Sequence, residues 1–411
     1  MTYRVVSIKI ALTLGAFFLS LFANAQQLQS LIDEALANSP EIQKFELQYQ
    51  RVSEKVNEVN TLPNTEFGAG YFVSEPETRT GAQRFKVSVK QMLPWFGSIA
   101  SREQYVASLA DANYEDIVIA KRKLMASVSQ SYYNLYANQA KQAVLQEQIQ
   151  LLESYETMAL TSVEVGKASA VDVLRLQMRQ NDLQQLKDIL QQQFIAEQSN
   201  INNLLNREQE VPITVVDELY IPSEDFEVSA EDLKVHPELL KFEKLYQSVE
   251  QSNLLNQKER SPMIGFGLDY INVEKRPDMD FSDNGKDIFM PMVSLSIPIF
   301  NRKHASVSKQ NALQQQELQF EQEARLNTLE TLLDKVLTER ASARISYGTQ
   351  SKNLQQAKDA ETILIKNYET GTIDFKDVLD IQELQLKFQM AQIEVVRSYY
   401  IQSSIINYLI Q

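Results

Sequence analysis

Val165-Gly166-Lys167-Ala168-Ser169-Ala170-Val171-Asp172-Val173-Leu174 returns about 205 residues later as Thr370-Gly371-Thr372-Ile373-Asp374-Phe375-Lys376-Asp377-Val378-Leu379. The glycine, the aspartate six residues on and the Val-Leu pair coincide at one offset. Other landmarks recur near it: Asn38-Ser39-Pro40-Glu41 against Val235-His236-Pro237-Glu238, and Pro94-Trp95-Phe96 against Pro298-Ile299-Phe300. Self-similarity at a long fixed period is the mark of a duplicated architecture. The chain is therefore expected to consist of a first structural repeat over 26–228 and a second over 229–411.

Each glycine motif closes a long stretch without helix breakers. From Ser98 to Val163 there is neither proline nor glycine, and from Asn301 to Tyr368 only Gly348 interrupts. At about 1.5 Å per residue such helices span on the order of 100 Å, twice the roughly 50 Å width of a globule of this length. The reading is mainly α, with long helices at 98–164 and 168–206 in the first repeat and 301–369 and 373–410 in the second. Shorter ones precede them at 28–60 and 229–259. Leu124, Val128, Leu135, Leu145, Leu152 and Ala159 recur at sums of three and four with small residues between, which suits helices packed on more than one side. Periodicity alone leaves an ordinary coiled-coil dimer open.

The segments ahead of the long helices have a different period. In Arg84–Met92, Phe85, Val87 and Val89 alternate with Lys86, Ser88 and Lys90; Phe67–Val73, Met263–Asp269 and Phe289–Ile297 alternate likewise. They predict two β-hairpins, 66–93 and 263–299, joined by polar loops at Ser74–Gln83 and Glu274–Asp287. Strands of about 9 to 11 residues suit a tilted membrane β-strand, although a soluble hairpin is an alternative on these windows alone. Pro291 is awkward in a central strand. Trp95, Phe96 and Phe300 follow the second strand of each hairpin, where interfacial aromatics sit. Four strands cannot close a barrel, and lipid tolerates no open sheet edge. Three copies giving twelve strands is the smallest symmetric answer with a lumen.

Residues 1–25 carry Arg4, Lys9, an apolar core and Ala23-Asn24-Ala25, the pattern of a secretory signal peptide. Its removal takes the net charge from −14 to −16, which disfavours nucleic acid as a partner. No cysteine is present, so disulfides, thiolate metal sites and cysteine lipidation are excluded. His236 and His304 lie on separate elements without metal spacing, and no nucleophile or phosphate-binding motif appears. No enzyme, metal site or cofactor is expected.

Asn38-Ser39-Pro40-Glu41, Gln91-Met92-Leu93-Pro94-Trp95-Phe96-Gly97, Ser296-Ile297-Pro298-Ile299-Phe300-Asn301 and the two glycine motifs, in that order, resemble the TolC family of outer-membrane efflux channels and its metal-efflux relatives of the CusC and CzcC type. The resemblance covers essentially the whole mature chain. It implies a homotrimer in the outer membrane of a Gram-negative bacterium, with a twelve-stranded barrel, a helical periplasmic tunnel and an equatorial layer for which 207–228 and the C-terminal turns are candidates. It also implies a periplasmic adaptor and an inner-membrane pump as partners. The adaptor-facing tip would be Val165, Gly166, Lys167 and Ala168 with Thr370, Gly371 and Thr372. The entrance would be built from Asp172, Tyr368, Asp374, Asp377 and Asp380. Some members carry an arginine two residues past the second glycine; here Ile373 stands in its place, so an arginine latch is not expected. The function implied is passive export of small solutes, drugs or metal cations. A protein-secretion conduit and a secreted structural coiled coil are the alternatives.

Overall fold

The computed structural model describes residues 27–164, 169–225, 227–299, 302–370, 372–373 and 375–411. The expected signal peptide lies outside them. In chain order the elements are helix α1 (27–38), α2 (Pro40–Val59), strands β1 (Glu66–Tyr71), β2 (Glu77–Thr78) and β3 (Gly81–Leu93), helices α3 (Ser98–Glu164), α4 (Ala170–Leu204) and α5 (Pro237–Lys258), strands β4 (Met263–Val273) and β5 (Ile288–Ser296), and helices α6 (Lys303–Glu369) and α7 (Phe375–Ile410). Among the described residues no helix is long and apolar enough to cross a membrane.

The four long helices fall where the absence of breakers placed them, but the two shorter ones are each interrupted. The backbone leaves the helix at Ser39 and again at His236, which is extended at φ −66° and ψ 132°. Pro40 and Pro237 follow. Proline lacks the N–H an interior helical position donates, disfavours helical geometry in the residue before it, and is at home as the first residue of a new helix.

The chain divides into two compact units. The first takes residues up to Gln43 with Val118–His236 and Leu326–Gln411; the second takes Lys44–Ile117 and Pro237–Arg325. The core of the first unit lies between helices. One cluster gathers Val128, Tyr132, Leu135 and Tyr136 of α3 with Ile201 of α4, Val215 and Val216, and Val396 of α7. A second joins Leu145, Leu152 and Tyr155 of α3 to Leu176 and Leu183 of α4 and to Phe375, Val378 and Leu386 of α7.

In the second unit the strands form an antiparallel meander in the order β1-β3-β4-β5, with β2 folded against the start of β3. The first loop is therefore shorter than expected: β3 begins at Gly81, whose φ of +132° admits the tight return from β2, and a Cβ there would collide with the Glu274 carbonyl. Pro291 sits inside β5, opposite Leu268, and is tolerable because β5 is an outer strand of the sheet. Pairing puts Phe67, Ala69, Val87, Val89, Phe266, Leu268, Val293 and Leu295 on one face. Gly68, Gly70, Ser88, Lys90, Gly267, Asp269 and Ser294 share the other. The apolar face is bare: Phe67 is 80% exposed and Val293 73%.

Candidate functional site

At the reversal between α3 and α4, Ser169 caps α4, its Oγ accepting from the Val171 N–H at 3.2 Å. Asp172 lies in the first turn, where carboxylates favour the helix dipole, and pairs with Arg175 at 3.3 Å. Val165, Gly166, Lys167 and Ala168 lie outside the described residues. At the second reversal the hydroxyls of Thr370 and Thr372 both donate to the Asn367 carbonyl, at 2.9 and 2.8 Å, and the Thr372 N–H adds a third bond at 3.0 Å. Two threonines thus satisfy the orphan carbonyl that a helix end leaves. Gly371 and Asp374 are again outside the described residues.

Tyr368 and Ile373 pack on the α3/α4/α7 cluster; the Tyr368 ring lies 5.1 Å from Phe375, which lies 5.6 Å from Tyr155. Asp377 and Asp380 are exposed on the first turns of α7. Asp380 borders a cavity of about 250 Å³ shared with Arg175, Arg179, Lys376 and Glu383, and Arg179 approaches Glu383 at 3.9 Å. The acids of this region thus face cations of their own chain as well as solvent.

Behind them is a polar hub that the sequence reading missed. Gln382 of α7, almost wholly buried, donates to the Tyr155 hydroxyl at 2.9 Å and to Glu361 of α6 at 2.8 Å. Gln385 donates to the other Glu361 oxygen at 2.7 Å, and Gln148 of α3 donates to the Gln382 side-chain oxygen at 3.2 Å. Burial, reinforced by the Glu361 charge, pushes the Tyr155 hydroxyl up to about 12. Three helices meet at one carboxylate, and each buried group has a partner. Nothing in a glutamine-rich helix marks which glutamine turns inward.

The candidate equatorial segment, 207–228 with Phe226 undescribed, is held by side chains of the long helices. Tyr132 and Tyr136 of α3 accept from the Val216 and Leu219 N–H groups at 3.2 and 3.1 Å, and the Tyr400 hydroxyl donates to the Tyr220 carbonyl at 2.7 Å. Asp225 receives Arg344 at 2.6 Å and the Tyr399 hydroxyl at 2.6 Å, with Arg340 3.8 Å away. Despite partial burial, these donors hold its carboxyl below the ordinary range.

In the sheet unit Trp95 and Phe96 follow β3 with their rings 5.8 Å apart, and Phe96 is 81% exposed; Phe300 is outside the described residues. A second aromatic row, not singled out in the sequence, crosses the other end of the apolar face. Phe85 lies 6.0 Å from Tyr270, Tyr270 lies 5.1 Å from Phe289, and Tyr71 pairs directly with Phe85. On the opposite face Lys86 pairs with the fully buried Asp269. Both histidines are buried: His304 Nδ1 lies 2.9 Å from the Asn256 oxygen, and His236 stands edge-on to Tyr408. Among the described residues no cluster of His, Cys, Asp or Glu is placed to hold a metal.

Residues 31–207 match a family model described as outer membrane efflux protein. No curated protein matches the chain in sequence. Among solved structures, CusC has a TM-score of 0.74 at 15% identity, over 93% of this chain and 92% of that one. VceC from Vibrio cholerae gives 0.72 at 15% over 93% and 96%, and the open state of the MtrE channel from Neisseria gonorrhoeae gives 0.72 at 16% over 93% and 88%. At such identities the structures establish the shared fold, and the likeness to the outer membrane efflux protein family rests on residues 31–207, less than half of the chain.

Proposed function

We propose that three copies of the chain form one conduit, with four strands from each closing a twelve-stranded barrel and the long helices continuing it as a periplasmic tunnel. The observation that carries this reading is the sheet. Its outer strands β1 and β5 have a neighbour on one side only, and its apolar face is exposed. Lipid accepts the face and not the edges, so the edges must be paired by further copies. From Phe85 to the end of β3 at Leu93 is about 26 Å of strand, or about 20 Å of height at a tilt near 40°, close to the apolar band of about 25 Å that a membrane barrel presents.

The reversals of the helical hairpins are the entrance. Val165–Ala168 and Thr370–Thr372 meet an adaptor bound to an inner-membrane pump, which supplies the energy. Asp172, Tyr368, Asp374, Asp377 and Asp380 surround the opening, and the Glu361 hub holds α6 and α7 against α3 while it is shut. Acidic side chains near a narrow opening draw in cations.

The mass of the protein extracted in detergent from the outer-membrane fraction tests the assembly. Three chains per particle, in a form that shifts on gels only after heating, is the expected result. A monomer, or recovery in the soluble fraction, would overturn it.

A further inference from the structure

The two hairpins share one pairing register. Phe67-Gly68-Ala69-Gly70-Tyr71 of β1 matches Phe266-Gly267-Leu268-Asp269-Tyr270 of β4. Gly68 faces Ser88 in the first hairpin and Gly267 faces Met292 in the second. Ser88 stands six residues before Pro94, and Met292 six before Pro298. Strand and partner therefore correspond residue for residue.

Inside the chain the first hairpin joins the second through β3 and β4, where Ser88 faces Asp269. Asp269 is the counterpart of Gly70, and Met292 is the counterpart of Ser88. We infer that β5 of one copy pairs with β1 of the next in a single register, Met292 opposite Gly70 of the next copy, repeating between chains the junction that β3 and β4 make within one. This rests on the trimeric reading above and adds the geometry of its seam.

Four consequences follow from that register, and all are physically sound. On the apolar face Leu295 meets Phe67 and Val293 meets Ala69 of the next copy, so lipid-facing side chains stay together. All six residues of β1 find partners inside β5, Glu66 opposite Ser296 and Tyr71 opposite Pro291, so no residue of β1 is left without a facing strand. Pro291 falls opposite Tyr71, the last residue of β1, where a missing N–H costs least. The register also sets the barrel. Ser88 faces Gly68 on one side and the counterpart of Gly70 on the other, an advance of two residues per hairpin. Six hairpins then stagger the barrel by about as many residues as it has strands, which gives a tilt of roughly 35°, within the range of closed barrels. The opposite stagger would lay β5 against the residues before β1, which form no strand. Gly70 also has room: a Cβ there meets nothing within 4 Å.

The natural chain has no cysteine, so engineered pairs report without background. Met292→Cys is combined in one chain with Gly68→Cys, Gly70→Cys or Phe72→Cys, and Val293→Cys with Ala69→Cys serves as a second in-register pair on the other face. After oxidation in the membrane, the 292/70 and 293/69 pairs are expected to give on the order of tenfold more chain-to-chain cross-link than 292/68 or 292/72, because only directly opposed Cβ atoms approach disulfide distance. Strongest linkage at 68 or 72 in protein that still runs as a heat-sensitive trimer would overturn the register and leave the trimer standing. Monomeric protein with no cross-link at any pair would overturn both.

Discussion

The sheet and the helix clusters hide opposite things. In the helices Leu135, Leu145, Leu152 and Leu176 are buried, and the outward positions are rich in glutamine, glutamate and lysine, with apolar side chains such as Phe320, Ile345 and Ile363 scattered among them. In the sheet Phe67, Phe266, Val293 and Leu295 are bare, while Asp269 is buried against Lys86 on the opposite face. Each element segregates its faces by its own period, and the contiguous apolar face of the sheet, unlike the scattered apolar residues of the helices, supports lipid as its neighbour.

Substitutions that respect one solvent and offend the other sharpen this contrast. Leu176→Ala should have the largest effect, about 4 kcal/mol, since Leu176 is fully buried between helices; the temperature at which the unheated trimer band is lost reads it. A comparable loss from Leu295→Ala, whose side chain lies on the bare apolar face of the sheet, would break the comparison. Next is Val293→Arg, expected to cost about 3 kcal/mol and to lower insertion into the outer membrane, while Ser294→Arg on the polar face leaves insertion intact. Equal behaviour of the two would show the faces misassigned.

Asp225→Asn comes third, at about 2 kcal/mol, because Arg340, Arg344 and Tyr399 lose a charged acceptor. Its carboxyl is depressed in the folded state, so its contribution is present above the ordinary value near 4 and lost as pH falls through the lower folded value. Melting in acid should therefore fall more steeply for the wild-type protein than for Asp225→Asn, and parallel curves would contradict the clamp. Arg179→Ala is the smallest, below about 0.5 kcal/mol, as its pair with Glu383 is long and solvated. A larger loss, abolished by salt, would make that pair a true latch.

Much of this was legible in the chain. Breaker-free stretches gave the long helices, and strict alternation in Phe85–Lys90 gave the inward and outward faces of β3 before any pairing was known. Pro40 and Pro237 could have announced the two helix breaks, since each follows a residue it pushes out of helical geometry. The glutamine hub was not legible, because Gln382 differs from its exposed neighbours only in which way the packed helix turns it. The second aromatic row was half legible: Tyr71 and Phe85 lay on the expected face, but only the register shows that Tyr270 and Phe289 complete their row.

The most direct measurement is single-channel conductance in planar lipid bilayers, comparing wild-type protein with Glu361→Gln combined with Gln382→Leu. If the chain is a trimeric conduit shut at its hairpin ends by the Glu361 hub, the wild type gives small, brief currents and the double variant a several-fold larger and steadier one, with both remaining heat-sensitive trimers. Trimers that insert yet conduct in neither form would contradict the account.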